Sequence, residues 1–209
     1  YGYIYPKLAY LNKIVMSKKE KGKIKDLSDF GGLTNFAERY FPDLKPKEQN
    51  AEEFEKELWV IFFRILEKIL VSSPEMVQKF LKTYLIRFEI WNLRMAIIKV
   101  LVKKEIPEDL FPFFEKPQEI LEHKKLFKKL KHSETLDHIK RAIKGTNYEK
   151  IIEEALEKYE QTNELFYLEQ SLEKFYFTYL LKSQELYSSK EKELFGDYIK
   201  FSLDFYNLN

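Results

Sequence analysis

Cysteine is absent from the 209 residues. That excludes a disulfide-stapled extracellular scaffold, and with it cysteine-based zinc sites, iron–sulfur clusters and thiol catalysis. Glycine and proline are sparse, at six and seven, whereas an all-β sandwich spends a turn about every 8–12 residues. Long apolar runs are missing too. Residues 58–63 and 95–102 are the most apolar stretches and both are flanked by charge, while a membrane span needs about 20 predominantly apolar residues. Neither sign of charge dominates: 36 basic and 34 acidic side chains leave a net +2 with the signs interleaved. A dedicated nucleic-acid binder carries a strongly basic field, so this balance argues against one. No signal-peptide pattern opens at Tyr1, and the expectation is a soluble cytoplasmic chain.

Recognisable chemistry is equally scarce. The three histidines, His123, His132 and His138, lie nine and six apart, where a helical metal pair needs a spacing of three or four. They read as solvated surface residues. No Glu-x-x-His is present, so a ferritin-like di-iron bundle lacks its ligands. Gly31-Gly32 follows no strand and precedes no Gly-Lys-Ser/Thr, so it is neither a phosphate loop nor a dinucleotide fingerprint. Nucleophile-elbow and kinase motifs do not occur. Glu153, Glu154, Glu157 and Glu160 beside Lys150 and Lys158 fit solvent-facing pairs one helical turn apart. The reading is therefore no catalytic residue, no cofactor and no metal site.

What the chain has is core and periodicity. Hydrophobic residues make up 44% and charged residues 33%, enough apolar surface for a core under a charged exterior. Phe54, Leu58, Ile61, Phe62, Ile65 and Ile69 recur at threes and fours, and Trp59, Phe63, Leu66 and Leu70 widen that stripe. Asn50 with Glu53 reads as the start of this helix. Ser73-Pro74 starts another, running to about residue 104 with Phe80, Tyr84, Phe88 and Trp91 on one face. After a Pro- and Phe-rich linker, helices fit 118–131, 134–144, 147–160, 163–186 and 189–208. Gly145 suits a left-handed helix end, and Thr146/Glu149 and Ser188/Glu191 read as capping boxes. The fold class is all-α with no sheet.

Self-comparison shows an internal repeat. Residues 80–93 read F-L-K-T-Y-L-I-R-F-E-I-W-N-L and residues 195–208 read F-G-D-Y-I-K-F-S-L-D-F-Y-N-L. Glu89, Trp91, Asn92 and Leu93 thus match Asp204, Tyr206, Asn207 and Leu208. In the preceding helix, Phe54, Leu58, Phe62, Ile65 and Leu66 match Leu168, Leu172, Tyr176, Tyr179 and Leu180. We expect two tandem copies of one helical unit, 1–104 and 105–209. The acidic and Asn positions fit hydrogen bonds between helices that fix each unit's geometry.

The opening Y-G-Y-I-Y-P-K-L-A-Y-L, the run L-T-N-F-A-E-R-Y-F from Leu33, and E-I-W-N-L-R from Glu89 to Arg94 resemble the C subunit of V/A-type rotary ATPases, a relative of the d subunit of the vacuolar proton pump. The resemblance implies an all-helical, pseudo-threefold funnel whose units end in an acidic residue, Asn-Leu and often a basic residue. It implies a non-catalytic central-stalk socket coupling the central shaft to the membrane rotor ring for ion transport. Such a protein is cytoplasmic and peripheral to the membrane, does not span it, and binds no nucleic acid. A groove where the two copies meet, able to accept part of a coiled-coil shaft, is a further expectation. Three departures stand out: Lys7 where members usually carry Arg, an Asn209 where a basic residue follows Asn-Leu in the first copy, and no third copy in this sequence.

Other readings remain open. A helical-repeat scaffold binding proteins or peptides outside any ATPase is the main alternative, followed by an RNA-binding repeat and an enzyme in a helical fold. Lys124, Lys125, Lys128, Lys129 and Lys131 form the one basic cluster of note. Leu121, Leu126, Phe127 and Leu130 interleave with it. The cluster reads either as a solvated face over a core stripe or as a contact for an acidic partner or lipid headgroups.

Overall fold

The computed structural model describes residues 16–27, 29–48, 50–102 and 114–208, and every described secondary-structure element is helical. Two compact units are present, Tyr1–Gln78 and Lys79–Asn209. The repeat boundary expected at residue 105 and the opening motif at residues 1–11 lie outside the described residues.

In the first unit, α1 (Lys18–Ile24) starts with a full capping box: Glu20 N–H donates to Ser17 Oγ and Ser17 N–H to Glu20 Oε2, 2.8 Å away. Hydrogen bonds to its carboxyl from the Ser17 side chain first, then from Tyr40 and from Ser17 N–H, hold Glu20 down at about 2. Asp29 caps α2 (Phe30–Glu38) by accepting from Gly32 N–H at 2.6 Å. A Cβ at Gly32 would come within 3.2 Å of that same carboxylate oxygen, so a larger residue there would press on the cap. Asn50 caps α3 (Ala51–Ser72) through the Glu53 N–H, as its sequence position suggests. Ala37, Leu44 and Ile61 form the core of this unit, with Phe41, Phe54, Leu58 and Ile65 packed on it. Phe63, Leu66 and Leu70 are buried as well, so α3 is covered on more than its Ile61 stripe.

Helix α4 (Glu75–Val102) begins one residue later than Ser73-Pro74 suggests. Ser73 instead closes α3, its hydroxyl donating to the Ile69 carbonyl at 2.7 Å. The remaining helices belong to the second unit: α5 (Glu115–Ile120), α6 (Lys124–Lys131), α7 (Leu136–Ile143), α8 (Glu149–Thr162), α9 (Phe166–Ser183) and α10 (Ser189–Leu208), with a 3-10 turn at Gln184–Leu186. The middle of α4 is buried on several sides, at Leu85, Phe88, Ile90, Leu93 and Met95 among others. It is the axis around which α6 to α10 supply Leu130, Ile139, Ile143, Ile152, Leu156, Leu168, Leu172, Leu180 and Ile199 to one continuous core. Each such side chain contributes about 1.5–3 kcal/mol relative to an exposed one.

The single helix expected over 118–131 is two helices. Glu122 adopts a left-handed conformation with φ 65°, and Glu122 N–H and His123 N–H donate back to Glu119 O and Gln118 O. That pair of bonds is a Schellman ending. Its left-handed position normally takes Gly or Asn, so the sequence does not announce it. Pro117, expected in the linker, sits in the first turn of α5, where its missing N–H removes no helical bond. Gly145 does take a left-handed conformation, φ 75°. Thr146 and Glu149, however, do not form a capping box. Thr146 Oγ1 donates to Ile143 O, and Glu149 Oε2 accepts from Gly145 N–H. Of the Ser188/Glu191 box, the glutamate half is formed, with Ser188 N–H donating to Glu191 Oε2 at 2.8 Å.

Candidate functional site

The matched residues of the first copy reach into the chain from Phe114 onward. Asn92 is fully buried, and its amide makes two hydrogen bonds to one backbone residue. Nδ2 donates to Phe114 O and Oδ1 accepts from Phe114 N–H, both at 2.8 Å. The side chain thereby mimics a strand partner and satisfies a peptide group that would otherwise be stranded before α5. Trp91, beside it, is half-buried, with its ring 6.3 Å from that of Phe114. Leu93 points into the main core.

One turn earlier, Glu89 is 1% exposed. Oε1 accepts from the Tyr148 hydroxyl at 2.5 Å, and Oε2 lies 2.8 Å from His123 Nδ1. A carboxylate only accepts, so the imidazole carries its hydrogen on Nδ1 in that pair. Burial, then the nearby Glu89 charge and the bond to it, push the Tyr148 phenol well above its ordinary range. His123 is therefore not a free surface histidine. Half of its ring faces solvent, but its inner nitrogen ties the α5–α6 break to α4. The left-handed Glu122 makes that break, and His123 follows it directly.

Arg94 closes the motif. It pairs with Glu169 on α9 and lies 5.7 Å from the centre of the Trp91 ring. Glu173, one turn along α9, is held above the usual carboxylate range by burial, against the pull of Arg94 and Arg87. Glu89, Asn92 and Arg94 thus tie four partners, Phe114, His123, Tyr148 and Glu169, to one helix. All three use polar atoms inside the unit. No cluster of three or more His, Asp or Glu able to hold a metal occurs among the described residues.

In the second copy, Asp204, Tyr206, Asn207 and Leu208 lie on α10, and their side chains fall outside the described ones. The lysine cluster occupies α6, with Phe127 and Leu130 buried beneath. Lys124 Nζ pairs with Glu119 Oε1 at 2.8 Å, and Lys116 reaches the other oxygen at 3.2 Å. These two cations, Lys124 first, hold the Glu119 carboxyl below its ordinary value. Lys125, Lys128 and Lys129 are exposed, and Lys131 is half-buried.

Residues 34–209 match the family model of the ATP synthase (C/AC39) subunit. The chain belongs to that family. Among curated relatives of this C/AC39 member, the C subunit of the A-type ATP synthase of Methanocaldococcus jannaschii is 27% identical over 96% of this chain and 52% of its own length. The corresponding proteins of Methanosarcina acetivorans and Methanobrevibacter smithii, which carry the same name, are 28% and 33% identical, over 68% and 32% of this chain and 37% and 17% of theirs. The chain therefore spans about half the length of the Methanocaldococcus relative. No solved structure matches. Both copies of the acidic-apolar-apolar-Asn-Leu signature fall inside the region that carries C/AC39 membership, whereas the opening Tyr1 motif precedes it. No helix among the described residues is long and apolar enough to cross a membrane.

Proposed function

We propose that the chain serves as a non-catalytic socket in the central stalk of a V/A-type rotary ATPase, coupling the central shaft to the membrane rotor ring. Membership of the C/AC39 family over residues 34–209 is the observation that carries this reading. The bracing around α4 supports it. A coupling element must transmit torque without yielding, and buried charge-assisted hydrogen bonds with aromatic packing stiffen a helical unit more than they serve chemistry. The partners are the shaft subunits and the rotor ring, and the site of action is the cytoplasmic face of the membrane. The two copies are the helix pairs α3–α4 and α9–α10. Their matched positions are helical in both, which supports descent from one unit. Lys125 and Lys128 are the cluster residues best placed to meet an acidic partner.

A pull-down of the chain against purified shaft subunits and detergent-solubilised rotor ring of the same organism, over a salt series, tests the proposal. Saturable binding to either partner, weakened by Lys125→Glu/Lys128→Glu, is the expected result. Absence of binding to both, repeated with a form extended to the relatives' full length, would overturn it.

A further inference from the structure

We propose that the cleft between α6 and α7 binds a small phosphate-bearing anion. This goes beyond the stalk role and stands without it. The cleft has a volume of about 240 Å³, is open to solvent, and is lined by Lys129, His132, His138, Arg141 and Ala142. Four of these five residues are cations or imidazoles, and none is acidic.

Most of the cleft's donors are unclaimed among the described residues. Arg141 uses Nε on the Asp137 carbonyl, 3.2 Å away, which leaves both terminal nitrogens of its fork. Among the described residues, no carboxylate lies within ion-pair distance of Lys129 or Arg141. His138 Nδ1 accepts a long 3.4 Å bond from Glu134 N–H, so its proton sits on Nε2 and even the neutral ring presents a donor. His132, at the end of α6, has no side-chain partner among the described residues. The dipoles of α6 and α7 favour cations in their last turns and offset part of this repulsion. They supply no counter-charge inside the cleft.

The walls are braced before any ligand arrives. Ser133, itself buried, donates to Lys129 O at 2.8 Å, and Thr135 Oγ1 accepts from His138 N–H at 3.2 Å. Behind them Leu130, Ile139 and Ile143 are fully buried. The donor geometry selects the ligand class. A carboxylate has two oxygens and is satisfied by the arginine fork alone, whereas a phosphoryl group has enough oxygens and charge to engage the fork, an ammonium and imidazole N–H groups together. Size narrows it further. Pockets for drug-sized ligands run about 300–1,000 Å³, so this one holds one or two phosphoryl groups and not a whole nucleotide. The phosphoryl group can come from a free anion or from a phosphomonoester lipid headgroup.

The test is calorimetric titration of inorganic pyrophosphate into the 209-residue chain at low salt. The variants are Arg141→Gln and Lys129→Gln, with Lys125→Gln as a control that removes the same charge from α6 outside the cleft. Circular dichroism checks that each variant keeps its helices. Saturable binding of one pyrophosphate per chain is expected, weakened about tenfold by either cleft variant and less than about twofold by the control. A parallel sedimentation assay uses phosphatidylcholine vesicles with and without phosphatidate. Vesicle binding that depends on Arg141 assigns the phosphoryl group to a lipid, and pyrophosphate binding alone assigns it to a free anion. No saturable binding of either probe overturns the proposal. So does equal weakening by Lys125→Gln, which would mean a diffuse basic field in place of a site.

Discussion

Phe80 and Phe195, which occupy the same position in the two matched segments, stack on each other with ring centres 4.1 Å apart and planes 14° from parallel. The stack is a packing contact inside the second unit. It joins the start of α4 to α10, and Tyr198 packs edge-on against the same Phe80 ring. A double-mutant cycle of Phe80→Leu and Phe195→Leu, read by urea unfolding, should give a coupling energy of about 0.5–1.5 kcal/mol. Strict additivity would mean that the stack adds nothing to this unit's stability.

Asn92 is the residue whose loss the fold should feel most for its size. Asn92→Ala leaves the Phe114 N–H and C=O buried without partners, at about 1–3 kcal/mol for each unsatisfied group. We expect a total cost of about 2–5 kcal/mol, against less than about 0.5 kcal/mol for Asn147→Ala, a control outside the core. Urea midpoints at unchanged m-value measure the difference. A cost below about 1 kcal/mol would show that the Phe114 peptide finds other partners.

Glu122 holds a conformation that a side chain disfavours by roughly 1–2 kcal/mol. Gly has no such penalty, though it adds entropy to the unfolded chain. Glu122→Gly should therefore raise stability by up to about 1 kcal/mol while leaving the His123–Glu89 pair intact. Thermal unfolding with and without His123→Ala separates the two effects. Destabilisation by the glycine would mean that the Glu122 side chain contributes something its backbone conformation conceals.

The all-helical class was legible because periods of three and four recur nearly throughout, and those periods survive wherever one helix face is buried. Repetition alone singled out Glu89 and Asn92 in the sequence. Their partners were not. Phe114 is reached through a backbone group, which no side-chain pattern encodes. His123 looks like any surface histidine unless the left-handed turn before it is known, and Glu122 gives no sign of that turn. Two histidines that spacing sets apart, His132 and His138, share one cleft because the α6–α7 turn folds the chain back on itself. Periodicity reports faces, not the turns that bring faces together.

Gln118 is 1% exposed, and neither side-chain polar atom has a hydrogen-bond partner among the described residues. An unsatisfied buried amide costs about 1–3 kcal/mol, and an apolar group of the same shape avoids that cost. Gln118→Met, unbranched and of similar length, should stabilise the chain by about 1–2 kcal/mol. Gln118→Ala should not, because the cavity it leaves cancels the gain. Measuring both by chemical denaturation distinguishes relief of an orphaned amide from simple tolerance of the site. A destabilising Gln118→Met would indicate that the amide is satisfied after all.

Stability should fall on the alkaline side, and Tyr148 is a principal cause. Its phenol is shifted upward in the fold, by burial first and by the adjacent Glu89 charge second, and burial likewise raises Tyr176 and Tyr198. An unfolded tyrosine ionises near pH 10. Below that pH both states hold the proton and the full contribution is present. Above it the unfolded chain releases protons that the folded chain retains, so the unfolded state binds fewer and stability drops as pH rises. Each tyrosine so shifted steepens the fall by up to about 1.4 kcal/mol per pH unit. Tyr148→Phe should therefore do two opposite things. At pH 7 it removes a hydrogen bond to a buried carboxylate and lowers stability by about 1.5–3 kcal/mol. Between about pH 10 and 11.5 it should flatten the decline by one proton's worth, so that the curves of variant and parent converge. Urea midpoints collected every half unit from about pH 7 to 11.5 read both effects. Parallel curves would show that Tyr148 ionises in the fold as readily as in the open chain, and that its bond to Glu89 does not hold the phenol neutral.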